Sequence, residues 1–368
     1  MKVCFLTHDI DPKSGWGRYS GEIIKGLERR GIEADILVEE KLTSGSEKAV
    51  LKTNLPKFFG FLHMALKVRR LAKRCEIIHA FDAWPYGVIA ALANIGLSKK
   101  LIINGVGTYS VLPLDSRKTR WILSWAYRRA DSVPCISNFT MEEIKKRINL
   151  NTLEVITLGV DFEKFNRTEG YKDNLINNRN TIISVGAIKR RKGYHVSLQV
   201  ISKINEKYPD IKYYIVGNKT EDPLYAKELE NIINKHSLSD NVEFFENIND
   251  SKLCELYDEA NVFMLPSINV EGAFEGFGLV YLEANAKGVP VIGTLGCGAE
   301  DAIKDGYSGF LVPQNNIEET AQAVLKILDD KEFALRMSRN AILWAKSNSW
   351  DTVIDKYINI YKKLEGDN

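Results

Sequence analysis

Short runs of β-branched and aromatic residues alternate along this chain with stretches whose apolar residues recur every three or four positions. The first run is Lys2–Thr7 (KVCFLT), followed by a helical pattern over Arg18–Arg30. Ala34–Val38, a basic helical stretch over Lys57–Arg74, Glu76–Ala80, Leu101–Asn104, Ser132–Ile136 and Glu154–Thr157 continue the series. A polar stretch, Asn166–Asn180 (NRTEGYKDNLINNRN), then interrupts it and reads as a linker. The alternation restarts with Thr181–Val185, Lys212–Val216, Val242–Phe245, Val262–Leu265, Val289–Gly293 and Gly309–Val312. The last segment, Asp351–Leu364 (DTVIDKYINIYKKL), has the spacing of an amphipathic helix.

Strands that alternate with helices form βαβ units and parallel sheets. The expected fold class is therefore α/β, with two doubly wound, Rossmann-like domains facing a cleft. Residues 1–168 form the first, 169–348 the second, and 349–368 a closing helix. In such sheets a ligand lies at the C-terminal ends of the strands, and here it would lie where the domains face each other. A chain of 368 residues is long enough for two cores.

Composition narrows the class. The chain is 45% hydrophobic and 27% charged, as soluble enzymes are, and its net charge of +2 gives no argument for a nucleic-acid partner. Cys4, Cys75, Cys135, Cys254 and Cys297 are scattered and odd in number, which argues against a disulfide framework or a structural zinc and for a reducing cytoplasm. The opening MKVCFLTHDID meets Asp9 too early for a signal peptide, and no window is apolar enough to span a membrane.

The candidate chemistry centres on Glu271–Thr294 (EGAFEGFGLVYLEANAKGVPVIGT). Strand Val262–Leu265 leads into a glycine-rich loop that carries Glu275. Gly278 opens a helix over Leu279–Lys287, ended by Gly288-Val289-Pro290, with Glu283 inside it. The free N–H groups of Gly278, Leu279 and Val280 make an anion site, and the glycines let a ligand approach the backbone. Carboxylates suit paired hydroxyls. Glu275 and Glu283 would thus hold polyhydroxyl groups on either side of a diphosphate, as in a nucleotide sugar. The plainer alternative is a loop capped by Glu275, with Glu283 solvated. A second cluster, Ser184–Gly193, places Lys189, Arg190, Arg191 and Lys192 after a strand and Gly186. Four adjacent cations repel one another unless an anion neutralises them, so this cluster and the Gly278 helix end would grip one diphosphate. A solvated turn is the alternative.

These segments resemble the retaining GT-B glycosyltransferases of family 4, over nearly the whole chain. Glu275 to Glu283 matches that family's E-x7-E, and Lys192-Gly193 its phosphate-binding K-G. Val155–Phe165 resembles the passage between its domains, and Gly306–Val312 its late G-x-x-G-F-L-V segment. The resemblance implies that Glu275 contacts the donor sugar, that Glu283 binds the ribose, and that Arg191 and Lys192 stabilise the departing diphosphate. Phe277, Gly278, Leu279 and Val280 would assist through their backbone. It implies a hexose moved from a UDP-, GDP- or ADP-sugar to a glycan or lipid-linked acceptor, with retention, no cofactor and no metal. It also implies a C-terminal helix that crosses back to the first domain. Asp9-Ile10-Asp11 is the one D-x-D-like run and reads as a cap. Two positions depart from the family: Ala187 replaces an Arg, for which Arg190 or Arg191 would substitute, and Val106 falls on a His, leaving only backbone to approach the donor. A nucleotide-sugar epimerase and a binder without turnover stand as alternatives.

In the first domain, Ser14–Gly21 contains G-x-G-x-x-x-G, with Glu39 some twenty residues on. A dinucleotide site needs the glycine turn immediately after the strand, and here several residues intervene. The resemblance instead places Gly15, Trp16 and Gly17 at the cleft, where Trp16 would stack on a sugar. His79, at a strand end, either lines the acceptor side or packs. Phe58–Arg74 and Arg117–Arg129 mix aromatic, aliphatic and cationic residues. Such helices either rest on an anionic membrane or are half-buried with solvated faces. Nothing in the sequence fixes an oligomeric state.

Overall fold

The computed structural model describes residues 1–12, 14–39, 47–52, 57–165 and 180–366. Contacts divide the chain into two compact units: Met1–Leu158 together with Trp350–Asn368, and Gly159–Ser349. The division comes before residue 168, where the sequence places it. Val160 is already tied to the second unit, its N–H donating to the carbonyl of Asn348 at 2.9 Å. The buried ring of Phe165 stands edge-on to Tyr257 at 6.2 Å. The expected linker lies outside the described residues except for Asn180.

In the first unit β1 (Lys2–Leu6), β2 (Glu33–Val38), β3 (Lys48–Ala49), β4 (Ile77–Ala80) and β5 (Lys100–Ile103) form a parallel sheet in the order β3-β2-β1-β4-β5. β6 (Val133–Cys135) pairs in parallel with β7 (Leu153–Val155), and bridges from Ile102 to Ser132 and from Gly105 to Cys135 link them to β5. β4 is buried at every residue, which is the pattern of a sheet covered on both faces rather than one. The strand order reverses between β1 and β4, so the ligand end of this unit lies beyond Leu6 and Ala80. β3 has only two exposed residues, too short a pattern to be read from the sequence.

The helix Trp350–Gly366 follows the second unit in sequence but belongs to the first. It buries Ile354, Tyr357, Tyr361 and Leu364 and pairs Asp351 and Asp355 with Arg30 at 3.2 and 2.9 Å.

The second unit holds β8 (Thr181–Val185), β9 (Lys212–Val216), β10 (Val242–Phe245), β11 (Val262–Met264), β12 (Val291–Thr294) and β13 (Gly309–Val312). They run parallel in the order β10-β9-β8-β11-β12-β13. β12 starts two positions later than its apolar run, because Pro290 has no N–H to give the ladder and contributes only its carbonyl, to Phe263 at 2.9 Å. The order reverses between β8 and β11. The basic stretch after β8 and the glycine-rich loop after β11 are thus brought side by side, although some seventy residues separate them in sequence. Among the described residues no helix is long and apolar enough to cross a membrane.

Candidate functional site

The site in the second unit is built from two connections. After β8 and Gly186 the chain makes one tight turn, Arg190–Lys192, and Gly193 then caps the helix Tyr194–Asn205 from the left-handed region at φ 73°. A side chain at Gly193 would also run into the carbonyl of Pro266. Only glycine lets the turn press against the loop that follows β11. The two are stitched together by the Ile268 N–H, which donates to the Arg191 carbonyl at 2.8 Å.

From this turn Lys192 and Arg191 both reach Glu275. Lys192 Nζ and Arg191 Nη1, the latter at 3.2 Å, pair with Glu275 Oε2. Glu275 is buried, and the Ser267 hydroxyl donates to the same oxygen at 3.5 Å. Burial pushes the Glu275 carboxyl up, but Lys192 and then Arg191 outweigh it and hold the group at about 2. Burial lowers the Lys192 ammonium, and Glu275 partly restores it. The carboxylate stays ionised, with two cations for one anion around it.

Three residues on, Gly278 takes φ 89° and caps the helix Leu279–Ala286 with no side-chain cap of its own. A Cβ there would strike the ring of Tyr281. Glu275, which carries the Lys192–Arg191 cluster, thus stands four residues before the first residue of this helix, with its side chain beside the Gly278 cap. A helix N-terminus beside a net positive cluster favours an anion on both counts. Phe277 is buried, so its part is backbone or packing.

Not every expected residue joins this cluster. Arg190 turns instead to Glu228 and lies over the Tyr225 ring at 5.4 Å, and Lys189 pairs with Glu221 at 2.9 Å. The mutual repulsion of the four cations is thus met by three carboxylates of the protein itself. The expectation that only an outside anion could neutralise them is corrected, and the case for Arg190 as a phosphate ligand weakens while that for Arg191 stands. Glu283 is buried, not solvated, and takes a hydrogen bond from the Tyr257 hydroxyl at 3.4 Å. Gly186 holds its place by receiving the Tyr194 hydroxyl on its carbonyl at 2.6 Å.

Two participants escaped the sequence reading. Ser267 touches Glu275, and the Gly298 N–H holds the Glu275 carbonyl at 2.8 Å. Gly296-Cys297-Gly298 follows the C-terminal end of β12, and that position was the available signal.

In the first unit His79 does not line a surface. It is fully buried in β4, with Nδ1 against the Tyr361 hydroxyl at 2.7 Å and Nε2 against Asn104 Oδ1 at 2.9 Å. It ties the sheet to the closing helix, and burial lowers it to about 4. Val106 is buried and its N–H already donates to Ser110 Oγ at 2.6 Å, so that N–H is not open to a ligand. Gly15 and Gly17 lie in the first turn of the helix Gly15–Arg29, where Ser14 Oγ accepts the Gly17 N–H at 2.8 Å. No glycine turn abuts β1, so the dinucleotide reading fails. Trp16 is half-buried beside the rings of Tyr19 and the exposed Tyr109, at 6.2 and 6.0 Å. Asp9 Oδ1 accepts from the Asp11 N–H and the Ser14 hydroxyl, both at 2.8 Å, which is the capping role the sequence suggests.

Comparison with known proteins covers both units. The family model for glycosyl transferases group 1 matches residues 166–344, and that for Glycosyltransferase Family 4 matches residues 13–164. An uncharacterised glycosyltransferase of Methanocaldococcus jannaschii is 25% identical over 343 residues, 91% of each chain. A GDP-mannose-dependent α-(1-6)-phosphatidylinositol monomannoside mannosyltransferase of Mycobacterium tuberculosis is 25% identical, covering 82% of this chain and 79% of its own. Among solved structures, HepE of Anabaena in complex with UDP and glucose superposes with a TM-score of 0.81 at 20% identity, covering 99% of this chain and 100% of its own. That likeness extends to the whole two-unit GT-B fold.

Proposed function

The chain belongs to the glycosyl transferases group 1, family 4 type, and from that premise we propose that it moves a hexose from a nucleoside-diphosphate sugar to a hydroxyl of a glycan or lipid-linked acceptor, with retention and without a metal. One observation carries the reading: Glu275, Lys192 and Arg191 converge beside the free N-terminus of the helix Leu279–Ala286. The relative named for GDP-mannose and the neighbour bound to UDP and glucose support a donor of this class.

In this reading the diphosphate of a UDP-, GDP- or ADP-sugar sits on the helix N–H groups and the ammonium of Lys192, with Arg191 on its other side. The acceptor oxygen attacks the anomeric carbon from the face that the phosphate leaves. The bond from that carbon to the phosphate oxygen breaks, and its electron pair stays with the diphosphate. The same phosphate oxygen takes the acceptor's proton. Lys192 and Arg191 act where the negative charge grows, which lowers the barrier more than it tightens substrate binding. Glu275, already ionised, accepts hydrogen bonds from the sugar hydroxyls, and Glu283 accepts from the ribose. The reaction belongs in the cytoplasm, in keeping with five cysteines that are all free thiols.

The test offers each donor with a panel of glycan and lipid-linked acceptors, with and without EDTA, and reads the anomeric configuration of the product by NMR. The expected product keeps the donor's configuration, and EDTA leaves the rate unchanged. An inverted product, an EDTA-sensitive rate, or conversion of the donor without acceptor would each contradict the reading.

A further inference from the structure

One surface of the first unit plays no part in the transfer chemistry. The helices Lys57–Ala72, Val88–Asn94 and Arg117–Arg128 pack side by side, and large apolar side chains stand on their outward faces. Phe59, Leu62 and Leu66 are 63%, 49% and 52% exposed, and Trp121 is 63% exposed. Between them runs a groove of 220 Å³ lined by Phe61, Leu62, Leu92, Trp121, Ile122 and Trp125. Single exposed apolar residues are ordinary, but a connected set across three helices marks a docking surface.

The charges around this groove say what docks. No Asp or Glu occurs from residue 57 to 75 or from 116 to 130. The first stretch carries Lys67, Arg69, Arg70, Lys73 and Arg74, and the second Arg117, Lys118, Arg120, Arg128 and Arg129. The whole chain has a net charge of only +2, so two acid-free stretches with at least five cations each depart from its average balance. Arg69 is spent on the carbonyls of Ala93 and Ile95, and Arg129 lies over the Trp125 ring at 5.3 Å. Among the described residues, Arg70, Lys73, Arg74, Arg117, Lys118 and Arg128 are exposed and pair with no carboxylate. A second copy laid on the same face would bring like charges together. A protein partner would need its own acidic ring around an apolar ridge. An anionic bilayer supplies both requirements: a headgroup layer for the cations and an acyl boundary for Phe59, Leu62 and Trp121.

We propose that this face of the first unit docks on an anionic lipid surface, with Trp121 and Leu62 entering the interface and the flanking arginines and lysines meeting the lipid phosphates. The proposal goes beyond the transfer reaction and does not rest on it. Full-length protein is sedimented with vesicles of phosphatidylcholine alone and of phosphatidylcholine mixed with phosphatidylglycerol, at low and high salt. Binding is expected to the mixed vesicles only, and to fall with salt. Leu62→Ser with Trp121→Ser is expected to weaken binding roughly tenfold or more, and Arg117→Glu with Lys118→Glu to abolish most of it. Both double variants are expected to keep the thermal midpoint and the nucleotide affinity of the wild type, which separates this proposal from the fate of the transfer reading. No wild-type binding to mixed vesicles would overturn it. So would equal binding to both compositions, or a dimer in solution that the Leu62/Trp121 variant splits, since the face would then belong to a second copy.

Discussion

Lys192 shows how much of this site is decided side chain by side chain. Its ammonium is buried, and a buried cation persists only against a partner, which here is Glu275. That partnership was legible in outline, because a cationic stretch and a carboxylate loop both follow strands of one sheet. The fates of Arg190, Glu283 and His79 were not, since each depends on a neighbour remote in sequence: Glu228, Tyr257 and Tyr361. A second buried carboxyl gives a prediction at this scale. Asp82 lies just past β4, where burial pushes it up to about 8 from 3.8 against the pull of the Trp84 and Ala83 N–H groups. Between those values the folded state holds one proton more than the unfolded chain, so stability falls as pH rises. His79 acts in the opposite sense. Burial lowers it from 6.5 to about 4, so over that interval the unfolded chain holds the extra proton and stability falls as pH falls. The two slopes offset one another up to pH 6.5, and above it Asp82 acts alone. From pH 6.5 to 8 the wild type should lose roughly 2 kcal/mol that Asp82→Asn does not lose. Urea unfolding followed across that range checks this, and parallel curves for the two proteins would refute it.

Secondary elements were the most legible level. β8, β9, β10 and β13 coincide with the apolar runs that announced them. The departures have local causes, such as Pro290 at the start of β12 and a β3 of two residues. The turn Arg190–Lys192 was not foreseen as ordered structure. It is held by what Gly193 allows, a left-handed φ and close contact with Pro266, and contact between distant loops leaves no periodic trace. Gly193→Ala is therefore expected to cost about 2 kcal/mol or more, from the strained backbone and the displaced Pro266 carbonyl. It should also move Lys192 off Glu275, so that turnover falls at least about tenfold. Calorimetric unfolding and steady-state rates on one preparation test both parts. A destabilised variant with unchanged turnover would show that the turn does not position Lys192.

Across the whole molecule, two sheets with the strand reversal of doubly wound folds account for where the candidate residues gather. Each reversal opens a ligand end, and in the second unit it places the basic turn beside the carboxylate loop. The sequence conveyed this plan because alternation and spacing survive without knowledge of contacts. It did not convey the point at which the chain passes from one unit to the other, which is set by the pairing of Val160 with the Asn348–Ser349 stretch, far along the chain. The central claim is that the second unit binds a nucleotide sugar, with Glu283 on the nucleoside and Glu275 on the sugar. It is tested most directly by calorimetric titration of UDP, GDP and ADP, and of the sugar nucleotide of whichever binds, into wild type, Glu275→Ala and Glu283→Ala. The wild type is expected to prefer one nucleotide. That free nucleotide is expected to bind more weakly to Glu283→Ala and nearly as well to Glu275→Ala, with the sugar's added affinity lost only in the latter. Equal loss of free-nucleotide affinity in both variants, or no binding of any of the three to the wild type, would contradict it.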